Sequence, residues 1–363
     1  MSLKNPKPKK RTILFAAGGT GGHVIPAYVL AKAIEKKHSD IQCIFVGAKG
    51  KFEQQWLPSQ GFELELLNMG GITSGSMIKR LKGLLKLPGA CWKSWKILKQ
   101  YTPERLFGVG GYTSGPIMFL ASLMGIPCAI IEPNAVAGRS NRIISKQCKR
   151  VYTVFEQANV FFPTDKVKTL GHLIRPEILN IPAPNFSQSK KTIAVLGGSQ
   201  GAQSLNRIFC KMVQEAPEYF KENFKILHQA GEKNKDHVQH QYKNLDLDID
   251  VFGFKDDMQS LYANTHIIIA RAGSSVIEFA SIGIPSILIP LSIAADDHQK
   301  ANALALVKTG GASMIEEKDL NQALLFEVLQ QTMAGDMQGM SKALRVLRRD
   351  QAVETIMEDF LNL

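Results

Sequence analysis

The stretch Ile13-Leu14-Phe15-Ala16-Ala17-Gly18-Gly19-Thr20-Gly21-Gly22-His23 decides the fold. An apolar run ends on glycines, and the segment after it keeps Val29, Leu30, Ala33 and Ile34 on one helical face, with Pro26 near its start. That order is strand, glycine turn, helix, a unit whose helix-start N–H groups face outward and favour an anion. Half a chain later the order returns. Lys190-Lys191-Thr192-Ile193-Ala194-Val195-Leu196 runs into Gly197-Gly198-Ser199-Gln200-Gly201-Ala202, then a helix with Leu205, Ile208, Phe209 and Met212 on one face. A repeat of this size predicts two similar domains facing each other across a cleft. Further strands are expected at 42–46, 63–67, 105–109, 127–131, 150–154, 224–228, 250–252, 266–270 and 286–289. Helical stretches separate several of them, which is the α/β, doubly wound pattern of a Rossmann-like domain.

At 363 residues the chain exceeds one typical core, and Ile181-Pro182-Ala183-Pro184, after Arg175-Pro176, is its best linker. The expected division is residues 1–174 and 175–340. A helix over 341–363, carrying Leu344, Leu347, Val353, Ile356 and Phe360, is expected to pack back on the first domain. Five cysteines without C-x-x-C spacing argue for reduced thiols, against a disulfide framework or a zinc site. Residues before Arg11 read as a disordered basic tail rather than a secretory signal. The longest apolar runs are broken by Gly125-Ile126-Pro127, Pro285 and Pro290, so none reaches the roughly 20 residues of a membrane span. A formal charge of +12 points to an anionic partner: nucleic acid, phosphorylated substrates or an acidic membrane surface.

Between Glu65 and Glu104 there is no acidic residue. The interval carries Lys79, Arg80, Lys82, Lys86, Lys93, Lys96 and Lys99 among Leu81, Leu84, Leu85, Trp92 and Trp95. Basic residues beside tryptophan and leucine anchors suit an interfacial membrane segment. The competing reading is a solvated helix whose apolar face is core. No nucleic-acid-binding motif accompanies the patch.

The first glycine loop is not the dinucleotide fingerprint, because Val24 takes the third glycine position and no acid closes the second strand. No Gly-Lys-Ser/Thr follows, which excludes a Walker A loop. His23 at the helix start is either a helix-start residue without chemistry or a group that titrates near working pH. Gly110-Gly111-Tyr112-Thr113-Ser114-Gly115-Pro116 is a further glycine turn after a strand. Ile267-Ile268-Ile269-Ala270 empties into Arg271-Ala272-Gly273-Ser274-Ser275-Val276-Ile277-Glu278. There N–H groups and hydroxyls can hold a diphosphate, and Glu278 either accepts from ribose hydroxyls or complements the helix dipole. Asp296-Asp297-His298-Gln299 and Asn302 offer amides and carboxylates to sugar hydroxyls, or an N-cap. Asp246-Leu247-Asp248-Ile249-Asp250 looks like a D-x-D metal motif, but alternation with apolar residues reads as a half-buried strand; no metal and no cofactor are expected.

Together, Gly18 to His23, Gly110 to Pro116, Gly197 to Ala202, Arg271 to Glu278 and Asp297-His298-Gln299 with Asn302-Ala303 resemble, in the same order, the MurG family of bacterial N-acetylglucosaminyltransferases. The resemblance spans Ile13 to Ala303. It implies a GT-B fold, a UDP-GlcNAc donor in the C-terminal domain and a lipid I acceptor at the N-terminal domain. It also implies inverting transfer to the MurNAc 4-hydroxyl, giving lipid II, without a tightly bound metal. The setting it implies is the cytoplasmic face of the inner membrane, peripheral, with other cell-wall synthesis proteins as further partners. Carried over by position, Thr20, Gly21 and Gly22 approach the donor, and Asn134, Arg175 and Ser199 contact sugar, nucleotide and phosphates. Ser274 and Ser275 flank the diphosphate, the Lys255 backbone reads uracil, Glu278 holds ribose and Gln299 the GlcNAc hydroxyls. His23 is the candidate base and Glu132 the reserve.

The chain departs from the family pattern at Ile131-Glu132-Pro133-Asn134, at Gly171-His172-Leu173-Ile174-Arg175 and in a shortened Arg271 to Glu278 segment. The alternatives are a UDP-GlcNAc 2-epimerase of the same fold, which has no use for the Lys79 to Trp95 patch, a diacylglycerol glycolipid synthase, and a non-catalytic UDP-sugar sensor.

Overall fold

Parallel sheets are covered on both faces, so their strands are continuous apolar runs rather than alternating ones. That is the character of β1 (Arg11–Ala16), buried at every position after Arg11. A computed structural model describes residues 10–69, 86–198, 201–291 and 297–363. Two compact units form. The first holds the described residues up to Pro133, Ala137–Leu173 and Gln351–Leu363, and the second holds Asn134–Val136 and Ile174–Asp350.

In the first unit, β1 is joined by β2 (Ile41–Ala48), β3 (Glu63–Leu67), β4 (Arg105–Gly108), β5 (Cys128–Glu132), β6 (Arg150–Thr153) and β7 (Val167–Thr169). Among the described residues the order is β3-β2-β1-β4-β5-β6-β7, with every pairing parallel. The order reverses between β1 and β4, and the crevice for ligands in such sheets opens at the carboxyl ends there. Register brings both glycine turns to that edge, since Ala16 lies opposite Gly108. One sheet face packs Phe15, Phe45, Phe107 and Tyr152 under helix α1 (Gly21–Lys37). The other packs Leu14, Val46, Leu106 and Ile130 under α3 (Leu87–Tyr101) and α4 (Ser114–Leu123). A short α2 (Glu53–Ser59) follows β2.

The second unit repeats the plan with β8 (Lys191–Leu196), β9 (Phe224–Gln229), β10 (Ile249–Phe252), β11 (Ile267–Ala270), β12 (Ser286–Leu288) and β13 (Ala312–Met314). The order is β10-β9-β8-β11-β12-β13, again all parallel. The expected fold class, two doubly wound parallel-sheet domains, is what the chain has. Of the three-residue strands, β12 falls where a strand is expected, while β7 and β13 have no counterpart among the expected strands; Val167-Lys168-Thr169 and Ala312-Ser313-Met314 lack the apolar run that marks β12.

The helix expected over 341–363 is corrected to two. Met337–Leu344 and a 3₁₀ turn at Arg345–Leu347 stay with the second unit, where Arg348, extended at φ −69° and ψ 135°, donates from Nη2 to the Leu179 carbonyl at 2.7 Å. The charged run Arg348-Arg349-Asp350 then leads to Ala352–Leu361, which belongs to the first unit. There Ile356, Met357 and Phe360 enter the core, with Phe360 edge-on to Phe107 at 5.2 Å. Asp359 accepts from Arg150 Nε and the Tyr152 hydroxyl, each at 2.8 Å, and from Lys168 Nζ at 2.5 Å.

Candidate active site

Leaving β1, the chain must turn sharply into α1, and Gly19 does so at φ +105°. Thr20, the N-cap, is exposed and makes no side-chain cap, and the first turn carries no acidic residue. The first turn of α1, with Gly21 and Gly22, and the positive end of the helix therefore lie at the sheet's carboxyl edge. His23, half-buried, comes next. The second turn, Gly110 (φ +99°) and Gly111 (φ +78°), lies directly against the first. A Cβ on Gly111 would sit 3.3 Å from the Gly18 carbonyl and 3.8 Å from His23 Nδ1. Beside them the Thr113 and Tyr112 hydroxyls are buried and make no hydrogen bond among the described residues.

One residue that the sequence did not flag holds this turn. Glu53, the first residue of α2, is fully buried. Its Oε1 and Oε2 accept from the Gly19 N–H at 3.1 and 3.0 Å, and Oε1 also accepts from the Ala48 N–H at 2.8 Å. A Cβ on Gly18 would meet Glu53 Oε1 at 2.5 Å, and one on Gly47 would meet its Cγ at 2.6 Å. Both glycines are therefore required by the carboxylate under them. The only sequence signal was indirect: Gly47 where a dinucleotide fold would place an acid.

Glu132 has a comparable structural task. It is 1% exposed, and Oε2 accepts from the Gly138 N–H and Asn141 Nδ2, each at 2.9 Å. Those bonds hold the loop after β5 in place, which sets Glu132 apart from a base that must reach a substrate. His172, in the second family departure, is buried; burial lowers its pKa to about 4, so the ring is neutral.

In the second unit the turn after β8 places Gly198 at φ +77° and Gly201 at φ +74°; Ser199 lies outside the described residues. Ser274 and Ser275 stand where β11 meets the Val276–Ile282 helix, the first buried, the second exposed. Glu278 on that helix accepts from the Tyr262 hydroxyl at 3.0 Å, and Arg175 Nη2 lies 3.7 Å from its other oxygen. Burial raises the Glu278 pKa, while Arg175 and Tyr262 oppose that rise. Arg175 Nη1 reaches the Asp256 carbonyl at 3.5 Å, which joins the Lys255 loop to the same cluster.

Arg271 is spent internally. It pairs with Glu317 and donates to Ser204 Oγ at 2.7 Å and the Ile289 carbonyl at 3.1 Å. Gln299 Oε1 accepts from the Leu291 N–H at 3.0 Å, which leaves its amide N–H groups to other partners. Asn134 joins this unit: Asn302 Nδ2 donates to Asn134 Oδ1 at 3.1 Å, and Asn302 Oδ1 accepts from the Ala135 N–H at 2.8 Å. Asp296 lies outside the described residues, and Asp297 is the N-cap residue of His298–Val307 at φ +51°. Asp246 and Asp248 pair with Lys221 and Lys225 at 2.5 and 3.8 Å. Among the described residues no group of His, Cys, Asp and Glu could hold a metal ion.

The basic stretch is only partly described: Lys79, Arg80 and Lys82 lie outside the described residues, and Lys86 is the exposed N-cap of α3. Trp92 and Trp95 are 59% and 46% exposed, while Ala90, Ser94, Ile97 and Leu98 form the buried face. The tryptophans are thus outside the core. Phe119, Leu123 and Met124, on and just after the adjoining α4, are also exposed. No described helix is long and apolar enough to cross a membrane.

Comparison with known proteins gives the class. Residues 13–153 match the glycosyltransferase family 28 N-terminal domain and residues 192–356 its C-terminal domain. The chain is a family 28 glycosyltransferase of the GT-B type, and thus an enzyme class that moves a sugar between partners. It is 38% identical over 317 residues, 86% of this chain and 82% of the relative, to the UDP-N-acetylglucosamine–N-acetylmuramyl-(pentapeptide) pyrophosphoryl-undecaprenol N-acetylglucosamine transferase of Anaeromyxobacter sp. (strain K). The Myxococcus xanthus (strain DK1622) enzyme of that name is 33% identical over 97% of this chain and 92% of its own. The crystal structure of Acinetobacter baumannii MurG superposes with a TM-score of 0.76 at 28% identity, covering 98% of this chain and all of that one. The chain belongs to the MurG family.

Proposed function

We infer that this chain transfers GlcNAc from UDP-GlcNAc to the 4-hydroxyl of the MurNAc unit of lipid I, with inversion, giving lipid II for peptidoglycan synthesis. The observation that carries the reading is the identity with transferases of that name across both units. In the reaction His23 takes the acceptor hydroxyl proton as the oxygen bonds to the sugar C1. The bond from C1 to the diphosphate breaks, and UDP leaves with the electron pair. Helix-start N–H groups near Ser199, Ser274 and Ser275 stabilise the charge that grows on the diphosphate. Arg175, the Lys255 backbone and Glu278 hold the nucleotide, and Asn134 and Gln299 hold the sugar. By the same resemblance, Thr20, Gly21 and Gly22 approach the donor. His23 is favoured over Glu132 as base because Glu132 is buried and occupied by Gly138 and Asn141.

The enzyme works as a peripheral protein on the cytoplasmic face of the inner membrane, where its product feeds wall growth, cell shape and division, alongside other wall-synthesis proteins. Exposed Trp92 and Trp95 on α3, with Phe119 and Leu123 on α4 and the basic residues from Lys79 to Lys86, are the proposed contact. A transfer assay with radiolabelled UDP-GlcNAc and lipid I tests the activity. Labelled lipid II is expected; conversion of free UDP-GlcNAc to its 2-epimer with no labelled lipid would overturn the reading in favour of the epimerase. For the membrane contact, Trp92→Ala/Trp95→Ala should lose sedimentation with anionic vesicles, and unchanged sedimentation would remove α3 from the interface.

A further inference from the structure

Burying a carboxylate is costly unless its lone pairs are used and its charge is opposed. Glu278 is 5% exposed, and among the described residues a single hydroxyl donates to it. That hydroxyl belongs to Tyr262, 1% exposed on the Met258–Ala263 helix, with its ring set edge-on to Phe279 at 6.4 Å. The bond engages Oε2. The opposite oxygen, Oε1, faces Arg175 Nη2 at 3.7 Å, beyond hydrogen-bond reach. Arg175 Nε and Nη2 are buried and make no hydrogen bond among the described residues. The carboxylate is therefore pinned on one side and opposed, without a bond, on the other.

We propose that Tyr262 is a positioning residue that sets the nucleotide specificity of the donor site, fixing Glu278 so that it selects a ribose diol over a deoxyribose. The proposal rests on the assignment of Glu278 to ribose made above. A carboxylate free to rotate could turn Oε1 to Arg175 and satisfy itself. Tied at Oε2, it keeps Oε1 for hydroxyls brought by the ligand. A site built around such a bond rejects an analogue lacking the hydroxyl, because the buried acceptor is then left unpaired. The charged and titratable groups around Glu278 are Arg175, Tyr262 and Glu177. Burial holds the phenol of Tyr262 protonated, as a donor must be. Removing that donor takes away one influence that keeps Glu278 ionised, so its proton is held to higher pH.

The test is titration calorimetry of the full chain with UDP and with 2′-deoxy-UDP, repeated from neutral to acidic pH, for the parent and Tyr262→Phe. The parent should prefer UDP by about tenfold or more, because a buried acceptor loses its donor. In Tyr262→Phe the preference should fall below about threefold, and the acid loss of UDP affinity should move to higher pH. A Phe variant that keeps both the parental preference and the parental pH profile overturns the proposal while leaving the ribose assignment intact. A parent that binds both nucleotides equally overturns the ribose assignment itself. A melt on each protein guards against misfolding; should the Phe variant melt far below the parent, Tyr262→Met is judged on the same ratio.

Discussion

Replacing Glu53 by alanine is the sharpest test of how the first glycine turn is held. The side chain accepts from two backbone groups, the N–H of Gly19 and the N–H of Ala48. Alanine leaves both without a partner, and a buried orphan donor costs about 1–3 kcal/mol, so the loss is roughly 2–6 kcal/mol. Relief of the buried charge works in the other direction, and glutamine separates the two effects. It is neutral, yet its one oxygen can take the Oε1 position, which serves both donors; a loss of about 1 kcal/mol is expected. For a unit of this size each kcal/mol moves the melting temperature by about 2–4 °C, so alanine should lower it by at least about 4 °C. Calorimetry on the full chain reads this, with the loss expected in the unfolding of the first unit, which holds Glu53. Transfer should fall with alanine, since His23 rides on the helix that the turn launches. An alanine variant that melts with the parent and keeps its turnover would refute the reasoning.

His23→Ala should lower turnover by about 10²–10⁴-fold while UDP affinity stays near normal, as expected for loss of a general base; near-parental turnover in the transfer assay would remove that role. Gln299→Ala should erode the preference for UDP-GlcNAc over UDP-GalNAc by roughly 1–3 kcal/mol, measured as a ratio of kcat/KM values. Asp359 gives a pH prediction. Burial pushes its pKa up, but the Lys168, Tyr152 and Arg150 bonds together hold it below the ordinary value. Its stabilisation is therefore complete above the unfolded value of about 3.9 and is lost as pH falls through the lower folded value. Asp359→Asn should cost about 2 kcal/mol at neutral pH in urea unfolding, and the difference should vanish in acid.

What could be read from the sequence is what backbone geometry forces into it. The turns after β1, β4 and β8 need left-handed residues, so Gly19, Gly110, Gly111 and Gly198 are visible without a structure. The central strands are visible because burial on both faces leaves continuous apolar runs such as Ile267-Ile268-Ile269. Glu53 was not legible, because its partners are main-chain groups and no pattern in Lys51-Phe52-Glu53-Gln54-Gln55 marks the middle residue as buried. The internal task of Arg271 was not legible either, because its partners Ser204 and Glu317 are distant in sequence and come together only in the fold. The excursion of Asn134–Val136 into the second unit depends on Asn302, equally remote.

The Ala352–Leu361 helix has a consequence for how the protein is made. A ribosome finishes the sheet of the first unit early, then synthesises all of residues 174–350 before the residues that fill its last groove exist. At about 5–20 residues per second that interval is on the order of ten seconds or longer. Throughout it the sites later taken by Ile356, Met357 and Phe360 stay open on the nascent chain. The second unit, contiguous but for three residues, has no such wait and can close while the first is still incomplete. Fragments ending before residue 351 should thus yield a sound second unit attached to a first that recruits chaperones, a difference that pulse proteolysis of stalled chains would read directly.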